Sequence, residues 1–248
     1  MIKDMLLDMI FPRRCPICDR VLGNINGCGG SRCLVCSEHD DLPFVGRVRC
    51  MKCGKEIETD TAEYCSDCER YPKIYKRCYP LFNYIEPVKG SILAVKYRNR
   101  REYCDYYGSA MAEMLCDTVR RNGIDVLVPV PVHRHKLKNR GYNQAQILAE
   151  VVGRHLAIPV CTDMLLRLED TRPQKELDNL QRANNMKNAF GAGNSHRNYR
   201  RIMIIDDIYT TGATMDTCAR ILMEMGAEAV YGAGCCFLGG GWGRAGGG

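Results

Sequence analysis

Two adjacent carboxylates, Asp206 and Asp207, close an apolar run and are followed by a turn of hydroxyls and one glycine: IMIIDDIYTTGAT, residues 202–214. Carboxylates delivered at the carboxyl end of a buried strand can accept hydrogen bonds from the 2′- and 3′-hydroxyls of a ribose. The residues behind them, Tyr209, Thr210, Thr211, Gly212, Ala213 and Thr214, can present backbone N–H groups and threonine hydroxyls to a phosphate. A helix starting there aims the positive end of its dipole at the same spot. Gly212 lets the backbone approach a phosphate with no Cβ in the way. Ligands of open α/β sheets collect at strand carboxyl ends, so the location suits a sugar phosphate. The segment lacks a Gly-Lys-Ser/Thr ending, which excludes a Walker-type nucleotide loop. The plainer alternative is a helix N-cap after a strand, with aspartate as the turn former.

A second constellation precedes it. Between Asp125 and Glu150 there is no acidic residue, and HRHKLKNRGYNQ (133–144) follows the strand-like VLVPVPV (126–132) directly. His133, Arg134, Lys136, Lys138 and Arg140 crowd what reads as a loop leading into a helix. Such a loop suits a polyanion, either a pyrophosphate or a nucleic acid backbone; a solvated basic face is the alternative. Tyr97 and Tyr142, each among cations, are candidate base-stacking residues that could equally be core.

The third constellation is made of thiols. Four CxxC pairs stand in order, Cys15/Cys18, Cys33/Cys36, Cys50/Cys53 and Cys65/Cys68. One CxxC places two thiolates on one turn, and two such knuckles complete a tetrahedral Zn²⁺ site. The expectation is two zinc sites, one from the first two pairs and one from the last two; interleaved pairing, a single zinc and an iron–sulfur cluster are the alternatives. Cys28, Cys78 and His39 are extra, and Cys116 and Cys218 read as small core hydrophobes.

These groups need elements to hold them. Met5, Leu6, Met9 and Ile10 have helical spacing, so a short amphipathic helix is expected over residues 1–12. The stretch from Cys15 to Cys78 is rich in Cys, Gly and charge and needs a staple other than an apolar core. From residue 79 the texture changes. Strands are expected near 81–85, at 126–132, 201–206 and 229–237, and helices at 88–97, 104–120, 143–156 and 213–225. That alternation argues a parallel α/β sheet flanked by helices. The polar stretch 167–190 reads either as a loop that closes over the site or as a passive surface loop. The division expected is 1–78 for the helix and cysteine module, 79–238 for the α/β domain, and 239–248 for a disordered glycine-rich tail.

The 248 residues suffice for one mid-sized domain plus a small one, and a net charge of +6 permits polyanionic partners without demanding them. Sixteen cysteines, ten of them at or before Cys78, would suit a secreted disulfide scaffold. Asp4 and Asp8 interrupt the first apolar run, however, so no signal peptide is read and a reducing cytoplasm with metal-bound thiolates is expected. No apolar stretch reaches membrane-spanning length, so no membrane insertion is expected. The oligomeric state stays open.

The segment 202–214 resembles the binding motif for phosphoribosyl pyrophosphate (PRPP) of type I phosphoribosyltransferases: four apolar residues, two acids, two variable residues, then Thr-Thr-Gly-x-Thr. A wider pattern resembles the ComF family of competence-associated, phosphoribosyltransferase-like proteins. It comprises FPRRCPIC (11–18), the later CxxC pairs, ILAVKYR (92–98), PVPVHRHKLKNRGYNQ (129–144) and RxxxTxPQxxLxxxxRxxN from Arg167 to Asn185. The resemblance covers roughly residues 5–237; the glycine-rich tail and the loose spacer around Cys28 depart from it. It implies a type I phosphoribosyltransferase core of about five parallel strands behind an N-terminal zinc module. Asp206 and Asp207 would hold the PRPP ribose and residues 209–214 its 5-phosphate, with Mg²⁺ bridging ribose and pyrophosphate oxygens. It further implies handling of single-stranded DNA during natural transformation, with competence-machinery proteins as further partners. Transfer of ribose 5-phosphate to an unidentified acceptor is the alternative.

Overall fold

A computed structural model describes residues 12–22, 32–33, 36–37, 42–169, 189–195 and 197–239. Nearly all of the expected helix over 1–12 and of the tail, Cys28, His39 and residues 170–188 of the polar stretch 167–190 lie outside these residues. In chain order the described elements are α1 (Ser66–Arg70), β1 (Cys78–Asn83), α2 (Val88–Tyr97), α3 (Tyr103–Asn122), β2 (Val126–Pro129), α4 (Arg134–Arg140) and α5 (Gln144–Leu156). Then follow β3 (Leu165–Arg167), β4 (Phe190–Ala192), β5 (Arg201–Tyr209), α6 (Ala213–Glu224) and β6 (Ala229–Phe237).

Four strands form one parallel sheet in the order β1-β6-β5-β2. The expected fifth strand is reduced, among the described residues, to an isolated parallel bridge between Val160 and Leu127. The segment there has only Ile158–Cys161 between the end of α5 and a polar turn, too few residues to extend a ladder. β3 and β4 pair separately as an antiparallel hairpin from which the segment 170–188 emerges.

Successive side chains of a strand face opposite ways, and β5 uses both faces. Ile202 and Ile204 join a core with Val126, Val128, Met215, Cys218 and Leu222, which Tyr209 at the strand's end also enters. Met203 and Ile205 join the other, with Leu127, Leu148, Val152, Tyr107 and Leu115. Helix α6 covers the first face, and α3 and α5 cover the second. α3 and α5 approach closely because Gly108 sits at the crossing; a Cβ there would lie 2.5 Å from the Cβ of Val151. Cys218 is buried as expected, whereas Cys116 is only half-buried on α3.

The expected basic loop is a short helix. Its N-cap His133 accepts the His135 backbone N–H at 3.4 Å, and Gly141 ends it at φ 82° in the left-handed region. With one apolar residue, Leu137, and none buried, α4 offers no apolar period to read; its caps define it. Asn143 then caps α5 by accepting the Ala145 N–H at 3.1 Å. Among the described residues no helix is long and apolar enough to cross a membrane.

Candidate functional site

β5 carries the acids to its carboxyl end, where the sheet opens. They fall on opposite faces of the strand and are not equivalent. Asp207 is 8% exposed; its Oδ2 receives Lys96 Nζ at 2.7 Å and Gln144 Nε2 at 2.9 Å. Asp206 is half-buried, and its Oδ1 accepts the Asp207 N–H at 2.8 Å. Burial and the neighbouring Asp207 charge push Asp206 well above the usual aspartate range. Burial would raise Asp207 too, but the Lys96 charge and the bonds from Lys96 and Gln144 hold it below its usual value. Desolvation would lower Lys96, and the Asp207 charge overrides it. The pair therefore contains one carboxylate anchored by a lysine and an amide and one, Asp206, whose Oδ1 takes a backbone N–H.

Lys96 and Gln144 are the residues that sequence reasoning left without a role. Both lie inside quoted motifs: Lys96 in ILAVKYR near the end of α2, Gln144 as the first residue of α5. The available signal is that Val95 and Lys96 continue an apolar helical face, and a lysine on such a face needs a buried anion.

The turn after the acids is built on Tyr209. Its ring is buried, stacks on Phe237 with centroids 5.1 Å apart, and its hydroxyl bonds that of Tyr75 at 2.7 Å. Gly212 lies over that hydroxyl at φ 78°: a Cβ there would stand 2.1 Å from Tyr209 Oη. Only glycine combines that φ with that approach. Thr210 and Thr211 are exposed, Ala213 and Thr214 half-buried, and Thr211 Oγ1 accepts the Ala213 N–H at 3.5 Å. The first-turn N–H groups of α6 have no intrahelical acceptor and the helix dipole ends positive at the same place. Tyr209 and the buried Gly212 thus support the turn from beneath, while Thr210, Thr211, Ala213 and Thr214 form its surface.

The basic helix stands next to the acids because only three residues separate Arg140 from the start of α5, whose Gln144 holds Asp207. Arg134, Lys136 and Lys138 are exposed, and Arg140 is half-buried. His133 is buried and meets the His135 ring edge-on at 4.8 Å. The Arg140 guanidinium sits 5.8 Å from the ring centre of Tyr97, which is 75% exposed and adjoins Lys96. Tyr142 is withdrawn as a stacking residue: it is buried, and its hydroxyl donates to the Val95 carbonyl. Acids, turn, basic helix and Tyr97 are thus gathered at one end of the sheet.

The cysteines form two separate groups, Cys15/Cys18/Cys33/Cys36 and Cys50/Cys53/Cys65/Cys68, each with all four sulfurs within 4.8 Å of one another. Tetrahedral Zn–S bonds of about 2.3 Å would place sulfurs about 3.8 Å apart. Cys18 and Cys33 sulfurs stand 3.5 Å apart, and Cys53 and Cys65 sulfurs 3.6 Å. The grouping is consecutive rather than interleaved. In the first group the Cys36 backbone N–H holds Cys33 down to about 7, whereas burial raises Cys18 and Cys36. Four thiolates gathered this closely call for a cation, and the donor set fits zinc at both places. Cys78 lies buried on β1, outside either group.

A module with two four-cysteine sites leads into a parallel α/β sheet whose carboxyl edge bears a phosphoribosyltransferase-type motif. Residues 6–69 match the double zinc ribbon domain family. Competence protein F of Haemophilus influenzae is 27% identical over 86% of this chain and 93% of its own. The DNA utilization protein YhgH of Escherichia coli K12 is 27% identical over 80% of this chain and 86% of its own. Competence protein ComFC of Bacillus subtilis is 28% identical over 73% of each. A purine phosphoribosyltransferase from Pyrococcus horikoshii superposes on 53% of this chain and 73% of its own at a TM-score of 0.34 and 15% identity. Over most of its length the chain is thus similar to competence and DNA utilization proteins, the likeness its motifs carry.

Proposed function

We propose that this chain binds PRPP with Mg²⁺ at the β5–α6 turn and handles single-stranded DNA in the cytoplasm during natural transformation. On this reading residues 1–78 form the zinc module and residues 79–238 the PRPP domain. The observation that carries it is the unequal acid pair: Asp207 is locked by Lys96 and Gln144, leaving Asp206 to accept ribose hydroxyls just before the Thr210–Thr214 turn. Thr210–Thr214 would take the 5-phosphate through backbone N–H groups and hydroxyls. Mg²⁺, when bound, would neutralise pyrophosphate charge beside Asp206. The names of the relatives, competence and DNA utilization, support the DNA role. The exposed Tyr97 under Arg140, beside Arg134, Lys136 and Lys138, supplies the stacking face and cations that single strands require.

A second reading, transfer of ribose 5-phosphate to an acceptor, rests on the same Asp206 and turn. Calorimetry with PRPP and Mg²⁺ tests binding, and a nucleobase screen for released pyrophosphate separates carrier from enzyme. Gel shifts with labelled single strands at two salt concentrations test the DNA arm. Binding should be sequence-tolerant and fall steeply with salt, as counterion release requires. Changing Lys136, Lys138 and Arg140 to Ala together should weaken it and flatten that dependence, with a smaller loss of PRPP affinity. Negligible DNA binding by the parent, with the triple variant losing PRPP affinity instead, would assign α4 to pyrophosphate alone.

A further inference from the structure

The second cysteine group does not stand apart from the turn. Tyr75, in the linker between that group and β1, is fully buried and shares one core with Cys50, Cys53, Cys65, Cys68, Tyr209 and Met215. Its hydroxyl and that of Tyr209 bond each other at 2.7 Å. A neighbouring bond runs from the Ile74 N–H to Asp216 Oδ1 in the first turn of α6, at 2.6 Å. On the metal side, Lys52 lies between Cys50 and Cys53: its carbonyl accepts the Cys78 N–H at 2.8 Å, and its ammonium sits 5.8 Å from the centre of the Tyr75 ring. A continuous packed path therefore runs from the Cys50–Cys53 knuckle through Tyr75 to Tyr209, whose hydroxyl in turn fixes how closely Gly212 lies.

We propose that Tyr75 is a positioning residue for the phosphate turn, and that zinc at Cys50/Cys53/Cys65/Cys68 and an anion at Thr210–Thr214 are thereby linked. The anion half of this statement rests on the PRPP reading; the link between metal site and turn does not. Losing one buried hydroxyl leaves the other without a partner, and the penalty falls on the ring that carries Gly212. Linkage is reciprocal: if zinc at this site favours anion binding, the bound anion must slow the loss of that zinc by the same coupling. The first group, Cys15/Cys18/Cys33/Cys36, does not share the core that holds Tyr75 and Tyr209 among the described residues, so its zinc should be indifferent to the anion.

The experiment uses the full zinc-loaded chain, Tyr75→Phe, Tyr209→Phe and the double variant. Each single change should weaken binding of PRPP with Mg²⁺ about five- to tenfold, as loss of one buried hydrogen bond would. The double variant should be no weaker than either single one. Zinc content should stay at two per chain, one for each four-cysteine group. Challenge with a chelator should release one zinc more slowly when PRPP and Mg²⁺ are present, and Tyr75→Phe should abolish that protection. A tyrosine of merely structural importance would lower the melting temperature without changing ligand-dependent zinc release. Hydrogen exchange of segment 209–216 without ligand separates the two readings. Faster exchange on Tyr75→Phe, or on removal of zinc from the second group, supports the link even if PRPP never binds. Unchanged exchange, or additive losses in the double variant, would overturn the proposal whatever PRPP does.

Discussion

Replacing Lys96 with methionine keeps the length and apolar stem of the side chain but removes the charge that faces Asp207. Lys96 and Asp207 side chains are 17% and 12% exposed and 2.7 Å apart, so solvent cannot take over the missing partner. If Asp207 stays ionised, an uncompensated buried charge costs about 3–5 kcal/mol. If it takes up a proton at neutral pH, the cost is about 1.4 kcal/mol for each of about three pH units above the unfolded aspartate value, or about 4 kcal/mol. The two routes agree. Relief of Lys96 desolvation and the remaining bond from Gln144 bring the expected loss to about 3 kcal/mol. The sign of the pH dependence follows. In the parent, the depressed Asp207 contributes stability that is present above its unfolded value and lost as pH falls through its folded value. In the variant the carboxyl is raised, so its penalty exists only above the unfolded value and disappears on acidification. The gap between parent and variant should therefore shrink steadily from pH 7 towards about pH 4. Urea unfolding followed by circular dichroism measures this, with Lys89→Met on the exposed face of the same helix as control. Adding Asp207→Asn to Lys96→Met should recover at least half of the loss. A loss below about 1 kcal/mol, one independent of pH, or one that Asp207→Asn deepens would refute the reasoning.

Gly212→Ala should abolish PRPP binding and destabilise the chain by about 1–3 kcal/mol, because a Cβ would meet Tyr209 Oη at 2.1 Å; thermal melting and calorimetry check it. Elemental analysis should find two zinc ions and no iron, matching the two four-cysteine groups, and Cys50→Ser should leave one. Asp206 is raised by burial and by Asp207, so its ionisation costs stability above the unfolded aspartate value, and its contribution in the ligand-free chain should become more favourable as pH falls from the raised value towards the unfolded one. PRPP affinity should move the opposite way, full above the raised value and falling through it, because ribose hydroxyls need the ionised acceptor; Asp206→Asn should flatten both profiles.

What the sequence disclosed follows from which forces act locally. Helix α2 and strand β6 coincide with their expected bounds because their patterns are apolar and uninterrupted. β5 runs on to Tyr209, past the expected end at 206, since Asp206, Ile208 and Tyr209 keep their ladder partners Gly234, Cys236 and Phe237 although Asp207 interrupts the apolar run. Zinc pairing was legible because CxxC spacing is a local constraint. The basic helix was not, since its caps His133 and Gly141 act where no apolar period exists. Lys96 and Gln144 meet Asp207 across more than sixty residues of chain, 207 − 144 = 63 for the nearer one. The Tyr75–Tyr209 contact spans 134. Such partners are set by tertiary packing: the apolar face that Lys96 continues signals a buried anion, but nothing local says which one.

On the PRPP reading, Asp206 and the turn behind it receive the ribose and the 5-phosphate. Calorimetric titration of PRPP with Mg²⁺ into the parent chain and into Asp206→Asn at pH 8 tests this most directly. Asp206→Asn keeps shape and leaves the Lys96–Asp207 pair intact. The expected result is saturable binding to the parent and a loss of at least about tenfold in the variant, since a charged acceptor is worth about 1.5–3 kcal/mol, with unfolding curves showing both chains folded. Equal affinities in two folded chains, or no binding to the parent, would contradict it.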